Sequence, residues 1–216
     1  MIIAVDGPAA SGKGTLARRL ARHYGLAHLD SGRLYRAAAL QVLLAGGDPA
    51  NPKDAEAGAQ RVRPGQLADK RLNEERVADA ASLVSAIPAV RATLLAFQRE
   101  FTIRPPDGAK GAVLDGRDIG TVIAPGADVK LFVVATPEVR AARRTRELLA
   151  RGEEANENEV LAELLRRDER DSRRTAAPLK AAPDAHLLDT THLGIDAAFR
   201  AAVDIIEAVR TGRKRG

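Results

Sequence analysis

The first fifteen residues restrict the chain more than any other stretch. Met1-Ile2-Ile3-Ala4-Val5-Asp6 is a short apolar run suited to a buried strand. Gly7-Pro8-Ala9-Ala10-Ser11-Gly12-Lys13-Gly14-Thr15 is a glycine-rich turn, and Leu16-Ala17-Arg18-Arg19-Leu20-Ala21 continues as an amphipathic helix. The turn fits G-x-x-x-x-G-K, with Gly7, Gly12 and Lys13 in register. Such a turn aims successive backbone N–H groups and the positive end of a helix dipole at a phosphate chain. Glycines let the backbone approach the oxygens with no Cβ in the way. Lys13 reaches toward β- and γ-phosphates. Gly14 stands where the pattern usually has a hydroxyl residue, and the hydroxyl comes one place later on Thr15. A cation is therefore expected to meet Thr15 through water rather than directly. A glycine-rich turn can also bind nothing. Its place straight after a strand and before a helix favours nucleotide phosphate.

At 216 residues the chain is long enough for one α/β domain with a small insert or lid. It has no cysteine, which excludes disulfides and thiolate metal sites and suits a reducing cytosol. Its apolar runs fall far short of the ~18 residues of a membrane span, and it opens on a core strand rather than a leader. The net charge of +5 and pI of about 9.9 permit nucleic-acid binding. Aromatic residues are only 3%, however, and acids are interspersed with the bases, which argues against a stacking platform. Attraction to small polyanions accounts for the balance.

Alternating strand and helix patterns predict a parallel sheet covered on both faces. Strands are expected at 27–29, 112–114, 129–134 and 186–188, after the first at 2–6. Helices are expected from Lys13 to Tyr24 with Gly25 as stop, from Ser31 as N-cap to Leu44, over 74–86, and from Pro88 through Phe101. Further helices start at Thr136-Pro137-Glu138 and after a polar turn at 152–158, the second carrying Val160, Leu161, Leu164 and Leu165. A last helix places Ile195, Phe199, Val203, Ile206 and Val209 on one stripe. The stretch from Asp48 to about Asn73 holds Pro49, Pro52 and Pro64 and lacks periodicity, so it reads as an irregular insert.

Secondary signatures narrow the chemistry. Asn51-Pro52-Lys53-Asp54 has the wrong order for the Asn-Lys-x-Asp base reader of a GTPase. Arg140 and Arg144 lie four apart and share a helix face, while Arg167, Arg170, Asp171 and Arg174 form another stripe. That stripe is either a solvated helix laced with ion pairs or half of a lid that closes on phosphates. Asp115-Gly116-Arg117-Asp118 follows an apolar strand, where α/β sheets place ligands, and is either an ordinary turn or a water-mediated Mg²⁺ holder. Ser31 and Arg36 read equally as cap and surface arginine or as phosphate contacts. The histidines show no metal spacing and read as structural, and Arg213-Lys214-Arg215 as a solvated tail.

Together the segments DGPAASGKGT (6–15), LDSGRLYR (29–36), DAAS (79–82), DGRDIGT (115–121) and RDERDSRRTAAPL (167–179) resemble the bacterial cytidylate kinases, within the nucleoside monophosphate kinase family of P-loop proteins. They span most of the chain. The resemblance implies a three-layer α/β fold with a five-stranded parallel sheet, flanking helices and a helical arginine-rich lid at 137–175. It implies a single domain, 1–216, that phosphorylates CMP and dCMP with ATP and Mg²⁺. The family's antiparallel insert looks shortened here, over 48–76, with Arg61-Val62-Arg63-Pro64-Gly65 where strands would begin.

By the same resemblance, residues 7–15 with Arg140 hold ATP, and Ser31, Ser82, Arg91, Asp118, Arg167 and Asp171 bind CMP with Arg36, Arg117 and Arg174. Lys13, Arg36, Arg117, Arg144, Arg170 and Arg174 serve the transfer, and Thr15 and Asp115 hold Mg²⁺ through water. Asp118 would accept from the cytosine N4 amino group and repel the O4 of uracil. No partner beyond the small substrates is implied: no nucleic acid, no membrane, and a cytoplasmic monomer. The competing readings are a kinase for UMP or a metabolite hydroxyl, and a nucleotide-dependent nucleic-acid-binding module.

Overall fold

A computed structural model describes residues 1–212; Arg213, Lys214 and Arg215 lie outside them. The strands are β1 Ile2–Asp6, β2 Ala27–Asp30, β3 Ala112–Gly116, β4 Val129–Val134 and β5 His186–Asp189. They form one five-stranded sheet in the order β2-β3-β1-β4-β5, with every neighbouring pair parallel. The central strands β3, β1 and β4 are near-continuous apolar runs because both their faces are covered. The helices are α1 Lys13–Tyr24, α2 Ser31–Leu44, α3 Pro52–Gln60, α4 Glu75–Val84, α5 Pro88–Ile103, α6 Pro137–Ala150, α7 Glu157–Arg173 and α8 Ile195–Arg210.

The pleat sends alternate residues to opposite faces. Ile3, Val5, Val113 and Leu131 pack with Leu16 and Leu20 of α1 and Ile206 of α8. Ala4, Ala112 and Leu114 pack with α2, α4 and α5 through Leu34, Ala38, Val84 and Leu94. A smaller cluster joins the turn after β1 to the α6–α7 pair: Ala9 and Ala10 touch Ala141, Val160, Leu161 and Leu164. The base of the paired arginine helices is thus built on the glycine-rich turn itself.

Several expectations need correction. The stretch 48–73 is not irregular. Asn51 accepts from the backbone N–H groups of Lys53 and Asp54, Pro52 fills the first turn, and α3 follows. Its Gly58 lies so close to α2 that a Cβ would stand 2.5 Å from Val42 Cγ2. Short 3₁₀ turns, Pro64–Ala68 and Lys70–Asn73, complete the segment, with no strand at 61–65. Ser31 is not the cap of α2: Asp30 accepts from Arg33 N, and Ser31 is the first helical residue. In α8 the buried positions are Ala198, Ala202 and Ile206, and Ile195 is exposed. In α7 Leu164 is buried and Leu165 exposed. Asp115 and Gly116 are the end of β3 rather than a turn.

Candidate active site

The turn after β1 curls around a point in front of α1. Ala10 adopts φ +57° and Gly12 +89°, and Gly7 passes β4 so closely that a Cβ would stand 2.1 Å from the Val133 carbonyl oxygen. Lys13 folds back, its Nζ donating to the Pro8 carbonyl at 3.1 Å. Burial, with Arg117 nearby, pulls the Lys13 ammonium down to about 7 from an ordinary 10.5. Residues 9–15 line a cleft of about 1110 Å³ whose other walls come from β2, β3, α4, α6 and α7. That is ample for a nucleotide.

Strand ends supply its acids. In parallel register Asp30 of β2 lies beside Asp115 of β3. Asp115 points at the start of α1, its Oδ2 3.4 Å from where a Gly14 Cβ would stand. Burial, and then the charge of Asp115, raise the Asp30 carboxyl above the usual range. Two carboxylates in mutual repulsion next to the Thr15 hydroxyl fit a hydrated divalent cation, which would relieve that repulsion. Asp30 was missed in the sequence, although the strand-end rule that selected Asp115 also selects it. His28 Nε2 lies 2.8 Å from Asp115 Oδ1. The Thr15 hydroxyl accepts from Arg18 at 3.3 Å.

Of the stripe on α7, Arg167 reaches the cleft, and arginines from three other elements join it. Arg36, Arg117, Arg144 and Arg167 line the cleft. Arg117 donates to Asp171 Oδ2 at 2.8 Å; burial opposes its charge, but Asp171 carries it above the ordinary value. Burial pulls Arg167 down to about 10, helped by Arg117 and Arg36, and its Nε has no partner among the described residues. Arg36 donates to the Leu72 carbonyl at 2.6 Å. Buried cations crowded together with a free N–H call for an anion.

A second cavity, of about 50 Å³, adjoins the cleft through Gly32, Gly116, Arg117 and Arg167, which line both. Ser31, Tyr35, Ser85, Arg91, Asp118, Asp171 and Arg174 surround it. Asp118 is buried and accepts from Arg91, whose other amino group donates to Ser85 O at 3.1 Å. Arg174 NH2 lies 3.8 Å from Asp118 Oδ1 and makes no hydrogen bond among the described residues. Burial and the neighbouring Arg91 lower its proton affinity. Ser31 donates to Asp115 O at 2.8 Å, fastening the start of α2 to the end of β3.

Three expected residues sit elsewhere. Ser82 accepts from Arg170, so these two pair with each other between α4 and α7, and Ala81 and Ser85 line the cavity instead. Arg140 does not line the cleft. It is buried, donating to the carbonyls of Ala135 and Ala9 at 3.1 Å each and pairing with Asp168. Arg143 takes the place facing the donor side: it donates to Thr190 Oγ1 at 3.0 Å and lies 4.0 Å from where a Gly12 Cβ would be. Nothing in the spacing of 140, 143 and 144 distinguishes them; only the roll of α6 against α7 and the glycine-rich turn does. Asp6 is a further latch, accepting from Ile119 N and Gly120 N at 2.8 and 2.7 Å and fixing the loop that carries Arg117 and Asp118.

The cytidylate kinase family model matches residues 3–208. The chain is 61% identical over 215 residues to the cytidylate kinase of Rhodopseudomonas palustris (strain BisB18). It is 58% identical over 216 residues to that of Bradyrhizobium diazoefficiens, and each comparison covers 100% of both proteins. A solved structure of an uncharacterized protein from Eubacterium ventriosum ATCC 27560 shares the fold, with a TM-score of 0.54 at 16% identity over 96% of this chain and 98% of that one.

Proposed function

The chain belongs to the cytidylate kinase family, and on that premise we propose that its cleft passes the γ-phosphoryl group of ATP to the phosphate of CMP or dCMP, giving CDP or dCDP. Full-length kinship with named cytidylate kinases supports the reaction. The observation that supports the division of labour is that Arg117 and Arg167 line both the large cleft and the small Asp118 cavity, joining a donor side to an acceptor side.

On the donor side residues 7–15 cradle the triphosphate, and Lys13 neutralises its β- and γ-oxygens. Arg140 shapes this cradle from behind through the Ala9 carbonyl, while Arg143 faces it. On the acceptor side the Arg91–Asp118 pair reads cytosine: the carboxylate accepts from the N4 amino group. Ser31 and Tyr35 wall the same cavity, and Asp171, held by Arg117 and Arg174, faces the sugar. Ser82 and Arg170 reach the site by exchanging their mutual hydrogen bond for nucleotide. Arg36, Arg117 and Arg174 hold the acceptor phosphate, and Arg144 and Arg170 close on the group in transit. A phosphate monoester is already nucleophilic at neutral pH, so no general base is required. The side chains orient the two phosphates and offset charge as it spreads over the transferred oxygens. Asp115 and Asp30 with Thr15 would hold Mg²⁺ through its waters, and the bound ion would supply charge neutralisation at the β- and γ-phosphates.

No single helix among the described residues is long and apolar enough to cross a membrane. Absence of cysteine supports work in the cytoplasm, and interspersed acids support small nucleotides rather than nucleic acid as partners. A coupled ADP-release assay across CMP, dCMP, UMP, AMP and shikimate tests the assignment. CMP and dCMP should lead; CMP ranking no better than UMP would defeat the cytosine reading.

A further inference from the structure

Glu75 stands in the first turn of α4, on the acceptor side of the cleft, and its carboxylate accepts from Arg144 of α6 on the other side. The second acidic partner of Arg144, Glu147 at 3.1 Å, rides on the same helix and moves with it. Only the Glu75 pairing therefore ties this guanidinium across the cleft. The side chain of Glu75 is 41% exposed and lines the cleft, so burial does not hold it in place. Arg36 of α2 and Arg167 of α7 line the same cleft, so Glu75 stands among guanidinium groups from both sides.

A carboxylate and a phosphate compete for the same guanidinium donors. We propose that Glu75 is a positioning residue, an internal anion that holds Arg144 across the cleft of the free protein and yields it to nucleotide phosphate on binding. A neighbouring contact allows this exchange without undocking the lid: Arg151 donates to the Asn73 carbonyl at 3.1 Å. The gain is a guanidinium already aimed at the site of transfer; the cost is competition with substrate.

The inference rests on the nucleotide reading above. Titration calorimetry of the full chain with ATP, without acceptor, separates the two. Wild type failing to bind ATP would overturn the nucleotide reading itself. Given binding, Glu75→Gln should tighten ATP about twofold to fivefold, the range of a partly exposed ion pair released from competition. Glu75→Asp keeps the charge and should bind no tighter than wild type. In an Arg144→Ala background Glu75→Gln should change affinity little. Unchanged or weaker ATP binding by Glu75→Gln would overturn the proposal. So would an equal gain from Glu75→Asp, or a gain that survives loss of Arg144, since charge and pairing would then not be the cause.

Discussion

Lys13 is the residue whose environment is most at odds with its charge. Its folded value, about 7, lies below the ordinary 10.5, so between those limits the unfolded chain binds more protons than the folded one. Its contribution to stability is therefore present above about 10.5 and is lost as pH falls through 7. Nucleotide phosphates favour the ammonium form, so ATP binding near pH 8 should draw in protons. Calorimetry in buffers of different ionisation enthalpy should detect that uptake in wild type and find it much reduced in Lys13→Met. The same variant should lose turnover by roughly a hundredfold or more with every acceptor. Asp118 poses a specificity question. Asp118→Asn can turn its amide to face either N4 or O4, so the CMP over UMP preference in kcat/KM should fall by about tenfold to a hundredfold. An unchanged ratio would show that Asp118 does not read the base.

Among the elements, the α6–α7 pair is fastened to the glycine-rich turn by packing and by one buried cation. Ala9 and Ala10 meet Ala141, Val160, Leu161 and Leu164, and Arg140 bonds the Ala9 carbonyl while pairing with Asp168 on α7. Arg140→Ala would strand two carbonyls and a carboxylate at once. Urea unfolding should show a loss of about 3 kcal/mol, the usual cost of breaking a buried pair by removing one partner. ATP affinity should fall with it, because the Ala9 carbonyl would no longer be held. If stability drops while ATP binding is untouched, Arg140 supports the lid and not the cradle. The α2–α3 contact is held differently, by small residues at close range around Gly58, which explains why a helix could hide in a stretch without large apolar residues.

For the whole molecule, the cavity around Asp118, about 50 Å³, has room for a few waters at about 10–15 Å³ each and not for a pyrimidine base. Base entry requires the arms around Asp118 to part, so binding and motion are linked. CMP at roughly one hundred times its Kd should stabilise the fold by about 2.7 kcal/mol, with UMP at the same concentration giving less, as thermal unfolding would show. The alternation of strands and helices outside 48–73 and the glycine-rich turn between β1 and α1 were legible in the chain, because each depends on local spacing: apolar period and the placement of proline and glycine. Helix α3 was not read from the sequence, because its small residues give no apolar stripe. The pairing of Asp30 with Asp115 and His28, the exchange of Arg140 for Arg143 at the cleft, and the reach of Glu75 to Arg144 were not legible. They depend on parallel register between strands distant in sequence and on how far α6 is rolled against α7 and the glycine-rich turn. Local spacing is written along the chain, whereas register and roll come from packing the whole core at once, so only the tertiary structure decided which charges meet.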